Sequence, residues 1–133
     1  MDNNKNLILK DDLIFIAGHK GMVGRSIYKE LKKNGYKKLI TVSKEELDLR
    51  SNYEVENWFK YNKPNIVILA AAKVGGIEAN KNYPTEFLID NLKIQNNVIE
   101  SAWKNKSKRL LFLGSSCIYP KFSKQPIREE ELL

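Results

Sequence analysis

An α/β fold built on a doubly wound parallel sheet is predicted by three features of this chain. Short, continuous apolar runs alternate with segments of helical periodicity. The runs end in glycine or small residues, and no internal repeat or low-complexity linker breaks the alternation. At 133 residues, 42% hydrophobic and 29% charged, the chain has the length and apolar content of one folded domain. Right-handed crossovers between its parallel strands lead to the expected strand order 3-2-1-4.

The first run, Leu13-Ile14-Phe15-Ile16-Ala17, has no polar member and so suits a strand buried on both faces. It closes in GHKGMVG. Residues 22–33 carry apolar Met22, Val23, Ile27 and Leu31 at helical spacing, and Asn34-Gly35 supplies a stop. Residues 38–42 include β-branched side chains and read as a second strand. A charged connection over residues 43–50 leads into a second helix from about Ser51 to Tyr61. Asn62-Lys63-Pro64-Asn65 breaks the chain before Ile66-Val67-Ile68-Leu69-Ala70, a third buried strand that ends in AAAKVGG. Pro84 is placed to start a long helix on which Phe87, Leu88, Asn91, Leu92, Gln95, Val98, Ile99 and Ala102 form one mostly apolar face. Residues 109–113 make the fourth strand.

The turn after the first strand contains Gly18, Gly21 and Gly24 in a G-x-x-G-x-x-G spacing. One glycine permits the tight turn, one lets backbone N–H groups approach a pyrophosphate, and one allows close helix packing. The helix that follows adds positive potential at its N-terminus. A glycine triplet is weak by itself, but its position between a buried strand and a helix makes this a dinucleotide-binding, Rossmann-type turn. Strand two ends Thr41-Val42-Ser43-Lys44, and Lys44 with Lys20 favours the 2′-phosphate of NADP; Glu45 and Glu46 follow directly and offer the alternative of holding ribose hydroxyls. His19 is read as a neutral loop residue beside the adenosine half.

Other classes fit less well. The net charge of +7 comes from lysines dispersed along the chain, with no run of five like charges, so no nucleic-acid partner is expected. A single cysteine excludes an internal disulfide, and one histidine leaves no metal-ligand cluster. No apolar run approaches the ~18 residues of a membrane span and no signal peptide opens the chain, which points to the cytoplasm and to no membrane partner.

GHKGMVG, AAAKVGGIEAN, YPTEFLIDNLKIQNNVIESA and LLFLGSSCIYPK together resemble the GDP-L-fucose synthase family of extended short-chain dehydrogenase/reductases, from about Leu13 onward. That family epimerises C3 and C5 of GDP-4-keto-6-deoxy-mannose and reduces the C4 ketone with NADPH. The resemblance implies that Gly18, His19, Lys20, Gly21, Met22, Val23 and Gly24 form the pyrophosphate loop. It assigns Lys44, Glu45, Glu46, Leu47, Asp48 and Leu49 to the adenosine-phosphate segment. Ala70, Ala71 and Ala72 join the cofactor site after strand three, and Leu113, Gly114, Ser115 and Ser116 lie at the strand end beside the nicotinamide. Ser115 matches the serine that hydrogen-bonds the C4 carbonyl oxygen, and Cys117 the cysteine that acts as acid/base in epimerisation. A hydroxyl stabilising negative charge on a ketone oxygen makes the adjacent C–H protons removable, and a thiol of lowered pKa can exchange them. For Ser116 a bond to nearby backbone is an equal alternative to any cofactor contact.

The superfamily's Tyr-x-x-x-Lys proton donor belongs on a helix after strand four, beyond Leu133. Tyr28 and Lys32 have that spacing, but their helix opens with the glycine turn and carries them away from the fourth strand's end. The chain is therefore expected to be an N-terminal dinucleotide-binding part, lacking a C-terminal substrate domain, with an incomplete sheet and no turnover alone. A nucleotide-sugar substrate and a homodimer of the full-length protein are what the resemblance adds. Another NAD(P)-dependent sugar-nucleotide epimerase or dehydratase, or a non-catalytic dinucleotide-binding module, are the alternatives. An unpaired fourth strand would also invite association with another chain.

Overall fold

The computed structural model describes residues 7–132. Four parallel strands, β1 (Ile14–Ala17), β2 (Leu39–Ile40), β3 (Ile66–Leu69) and β4 (Arg109–Phe112), alternate with helices α1 (Met22–Lys33), α2 (Asn52–Asn62), α3 (Ile77–Asn82) and α4 (Pro84–Lys104). The doubly wound α/β sheet expected from the sequence is the one observed.

Every residue of β1 and β3 is buried, because the two strands are central and both their faces are covered. Phe15 and Ala17, with their register partners Val67 and Leu69, point toward α2 and α4 and meet Val55, Phe59, Val98 and Ala102. Ile14, Ile16, Ile66 and Ile68 point the other way, under Ile27, Tyr28 and Leu31 of α1. The period-2 alternation of a strand thus divides one apolar run between two half-cores. Phe15 is wedged against Trp58 and Phe59, with ring centroids 4.2 and 5.8 Å away, the second edge-on, in a geometry worth about 0.5–1.5 kcal/mol per pair beyond burial.

The strand order is β2-β1-β3-β4, so the expected order 3-2-1-4 is corrected. Residues 43–50 fold into turns, with the Glu46 and Leu47 N–H groups donating to the Ser43 carbonyl at 3.2 and 3.0 Å, and add no strand beside β2. β2 stays at the edge. α2 crosses the opposite face and delivers Ile66–Leu69 to the free side of β1. Asn65 fixes that register: its side-chain oxygen accepts from the Leu13 N–H and its own N–H donates to the Leu13 carbonyl, both at 2.8 Å. At the same end of the sheet the buried Asp12 carboxylate receives Lys108 at 2.5 Å and the Leu9 N–H at 2.9 Å, which holds its pKa below the ordinary value.

α1 begins at Met22 and is stopped by Asn34 and by Gly35 at φ +81°, as its sequence indicates. Met22 and Val23, however, are 87% and 47% exposed and so belong to no core. α2 is capped by Ser51, whose hydroxyl accepts from the Glu54 N–H. α3 was not foreseen in the sequence, where IEANKN has too little apolar periodicity to mark it. The buried stripe of α4 is Asn97, Val98, Ser101 and Ala102, whereas Leu88, Leu92 and Ile99 are exposed. Of the eight-residue face expected from the sequence, Val98 and Ala102 lie on the sheet; Ile99 faces away from it, and Leu88 and Leu92 belong to the N-terminal half of α4, whose Asp90 and Ile94 border the cavity at the strand ends.

β4 differs from its neighbours. Leu111 and Phe112 are about half exposed, and β3 is its sole partner among the described residues. No described helix is long and apolar enough to cross a membrane.

Candidate functional site

A cavity of about 550 Å³ opens where β1 and β3 run out, between the turn after β1, the segment after β2 and the segment after β3. Carboxyl ends of adjacent parallel strands whose connections leave on opposite faces make such a crevice.

The turn after β1 is built on backbone that only glycine permits. Gly18 has φ +89°, and a Cβ there would sit 2.7 Å from the Ala70 carbonyl carbon and the Ala71 nitrogen. A Cβ on Gly24 would meet the Gly18 carbonyl oxygen at 2.2 Å. The first glycine therefore lets the turn press on the end of β3, and the third lets α1 press on the turn. Gly21 is the N-cap of α1 and has no side chain to cap with, and no acidic residue occupies the first turn. The leading N–H groups are thus open to an anion, with the helix dipole behind them. His19 Nδ1 is buried in the same turn without a hydrogen-bond partner among the described residues. An uncapped helix start, two glycines that a Cβ would displace and an orphaned polar nitrogen together fit the diphosphate of a dinucleotide.

The segment after β2 supplies the second wall through Val42, Ser43, Lys44 and Glu45, then Leu47, Asp48, Leu49 and Arg50. Both candidate acids are already engaged. Glu45 faces Lys20 at 3.6 Å, and Glu46 turns back to accept the Ser43 N–H at 2.9 Å, so each is held below the ordinary carboxylate pKa mainly by backbone N–H groups. Lys44 makes no ion pair among the described residues. Asp48 is held at about 2 by the Arg50 guanidinium, which donates from Nη2 at 2.6 Å and from Nε at 3.0 Å.

The third wall is Ala70, Ala71 and Ala72 with Lys73 and Val74, backed by Asp90 and Ile94 of α4. Asn91 clamps the backbone of Lys73, accepting its N–H at 2.7 Å and donating to its carbonyl at 3.0 Å.

The fold accordingly brings Gly18, His19, Lys20, Gly21, Met22 and Val23 together with Lys44, Glu45, Leu47, Asp48 and Leu49 and with Ala70, Ala71 and Ala72 around one cavity. Gly24 lies behind the turn rather than on the cavity surface. Glu46, Leu113, Gly114, Ser115, Ser116 and Cys117 do not line it. Ser115 caps a short 3-10 turn, Ser116–Ile118, its Oγ accepting from the Cys117 N–H at 3.1 Å; the Cys117 thiol is exposed. The local backbone bond weighed for Ser116 is thus made by its neighbour. Tyr28 packs on the Ile14/Ile16 face beneath α1, outside the cavity. Sequence reasoning missed Arg50, Lys73 and Asp90. Lys73 stands next to the alanines in AAAKVGG, but nothing in the sequence signals that a residue on α4 reaches back to it.

Residues 14–133 match the family described as "NAD dependent epimerase/dehydratase family". The chain is 52% identical, over its whole length, to a putative GDP-L-fucose synthase 2 of Arabidopsis thaliana, covering 40% of that protein. It is 48% identical to the GDP-L-fucose synthase of Escherichia coli K12 over 90% of this chain and 37% of that one. Among solved structures, a GDP-D-glycero-L-gluco-heptose synthase from Campylobacter jejuni, crystallised in the presence of NADPH, superposes with a TM-score of 0.88 at 39% identity, over 94% of this chain and 36% of that one. The chain spans about two fifths of the length of the curated relatives it matches. With a glycine turn, an uncapped helix start and a strand-end crevice in the family's arrangement, this chain belongs to the NAD-dependent epimerase/dehydratase family.

Proposed function

We propose that the chain is the NADP(H)-binding part of a GDP-L-fucose synthase, which converts GDP-4-keto-6-deoxy-mannose to GDP-L-fucose by epimerisation at C3 and C5 and reduction at C4. The observation that carries the cofactor is the pairing of the open glycine turn with Lys44, which makes no ion pair among the described residues while Glu45 faces Lys20 and Glu46 turns back onto Ser43. A cation at the end of β2 suits a 2′-phosphate, and Glu46, turned back onto Ser43, does not line the cavity where a 2′-hydroxyl would sit. Gly18, Gly21 and the α1 N-terminus would hold the diphosphate, and Asp48 and Leu49 would flank the adenosine. Bound there, NADPH supplies the hydride that reduces the C4 ketone.

The chain's own contribution to the sugar lies past β4. Ser115 Oγ accepts the Cys117 N–H through a lone pair, which leaves its own O–H to donate to the C4 carbonyl oxygen. The exposed Cys117 thiol is reachable by the protons next to that carbonyl. Leu113, Gly114 and Ser116 lead the chain to this position beside the nicotinamide. Tyr28 and Lys32, carried on α1 outside the cavity, are in this reading not the Tyr-x-x-x-Lys proton donor. In this reading the enzyme is cytoplasmic and works as a homodimer in its full-length form.

A second GDP-sugar is favoured by one observation, the similarity to a heptose synthase that shares the GDP portion of its substrate's name. The test is Ser115→Ala in the reconstituted synthase, assayed with GDP-4-keto-6-deoxy-mannose. Loss of NADPH oxidation with retained NADPH binding is expected. Undiminished activity overturns the assignment of Ser115, and activity only with a heptose substrate selects the second reading.

A further inference from the structure

Two of the cations lining the cavity reach toward α4, Arg50 from the segment after β2 and Lys73 from the segment after β3. They meet on one carboxylate. Asp90 Oδ2 accepts from Lys73 Nζ at 2.8 Å and from Arg50 Nη1 at 3.2 Å, and its side chain is only 17% exposed. Asp48 holds the far side of the same guanidinium, so two acids and two bases form a chain that ties both loops to α4. Residues 70–76 contain no helix or strand of their own. In their middle Lys73 is held by Asp90 and the neighbouring Asn91, two residues of a 21-residue helix.

We propose that Asp90 is a positioning residue for the dinucleotide, holding Lys73 and Arg50 at the cavity wall; this rests on the dinucleotide reading above. A lysine ammonium is strongly hydrated and sits on a flexible stem, so an unheld Lys73 turns to solvent and pays rotamer entropy to return. Asp90 removes that cost in advance. An arginine gripped from both sides is likewise fixed as a flat wall beside Leu49 rather than a mobile arm.

The direction of the effect separates positioning from simple charge. Asp90→Asn removes a negative charge from an anion-binding cavity, which by electrostatics alone tightens a phosphorylated ligand. Positioning demands the reverse. NADPH affinity, read by fluorescence titration, is expected to fall roughly fivefold or more in D90N, the loss of about one charge-assisted contact. Asp90→Glu should restore most of it. Lys73→Met should weaken binding by a similar factor, and the double variant by much less than the product of the two, since both remove the same contact.

The Lys73 side chain is over a third exposed, so its replacement removes little packing and carries the test even where D90N folds poorly. Unchanged or tighter binding in D90N, or unchanged binding in K73M, overturns the proposal. A wild-type chain with no affinity for NADPH overturns the dinucleotide reading itself, and this inference with it.

Discussion

Replacing Gly24 by alanine would set a methyl group 2.2 Å from the Gly18 carbonyl oxygen, 2.7 Å from its carbon and 3.1 Å from the His19 Cα. All three are backbone atoms of the turn, so no side chain can swing aside. The oxygen is more than 1 Å inside ordinary contact, and either α1 must lift from the sheet or the turn must move. Overpacking of this kind costs about 1–3 kcal/mol, from which the better helix propensity of alanine returns at most about 1 kcal/mol. At ~2.1 cal/mol/K of unfolding entropy per residue, each kcal/mol lowers Tm by roughly 3–4 °C for a chain of this length. Taking the middle of that range, a net loss of about 1–2 kcal/mol, a fall of about 3–7 °C is expected by circular dichroism. The same movement displaces the open N–H groups at the start of α1, and NADPH affinity should drop about tenfold or more. Gly76→Ala is the control, because nothing lies within 4 Å of its would-be Cβ and its φ is −69°. If G24A keeps both the wild-type Tm and the wild-type affinity, the close approach of α1 to the turn is not what holds the site.

Phe59→Ala deletes a fully buried ring at the meeting of α2, β1 and α4 and should cost about 3–5 kcal/mol in urea unfolding; a loss below about 1 kcal/mol would contradict the packing described. Lys44→Ala should weaken NADPH about tenfold while leaving NADH unchanged, and an equal loss for both cofactors would contradict the 2′-phosphate role. Asp48 is pulled from 3.8 to about 2 by its bonds to Arg50. The unfolded chain therefore takes up this proton first on acidification, so the stabilisation is complete above about pH 4 and is lost as pH falls toward 2. The wild type should lose stability more steeply than Asp48→Asn across that window, and parallel pH profiles would show that the Asp48–Arg50 pair is not formed.

The central strands were legible because burial on both faces leaves no polar residue in Ile14–Ala17 or Ile66–Leu69, and α1 because Gly21 and Asn34-Gly35 mark its ends. The strand order was not. It depended on whether α2 would deliver residues 66–70 to the free side of β2 or of β1, and an apolar run that suits any central strand carries no signal that decides between these. The apolar pattern of α4 was also misleading, since a stripe from Phe87 to Ala102 says which residues are apolar but not which of them lie on the sheet. At the site, contiguous motifs such as GHKGMVG could be read directly. The hold of Asp90 on Lys73 and Arg50 could not, because it joins side chains 17 and 40 positions apart through a crossover whose geometry exists only in the fold.

The most direct test of this account is the affinity of the chain for NADPH and for NADH, titrated under identical salt and pH by calorimetry. Saturable binding at one site per chain, with NADPH clearly the tighter ligand, is the result the open glycine turn and Lys44 require. No binding of either, or equal affinity for the two, would contradict it.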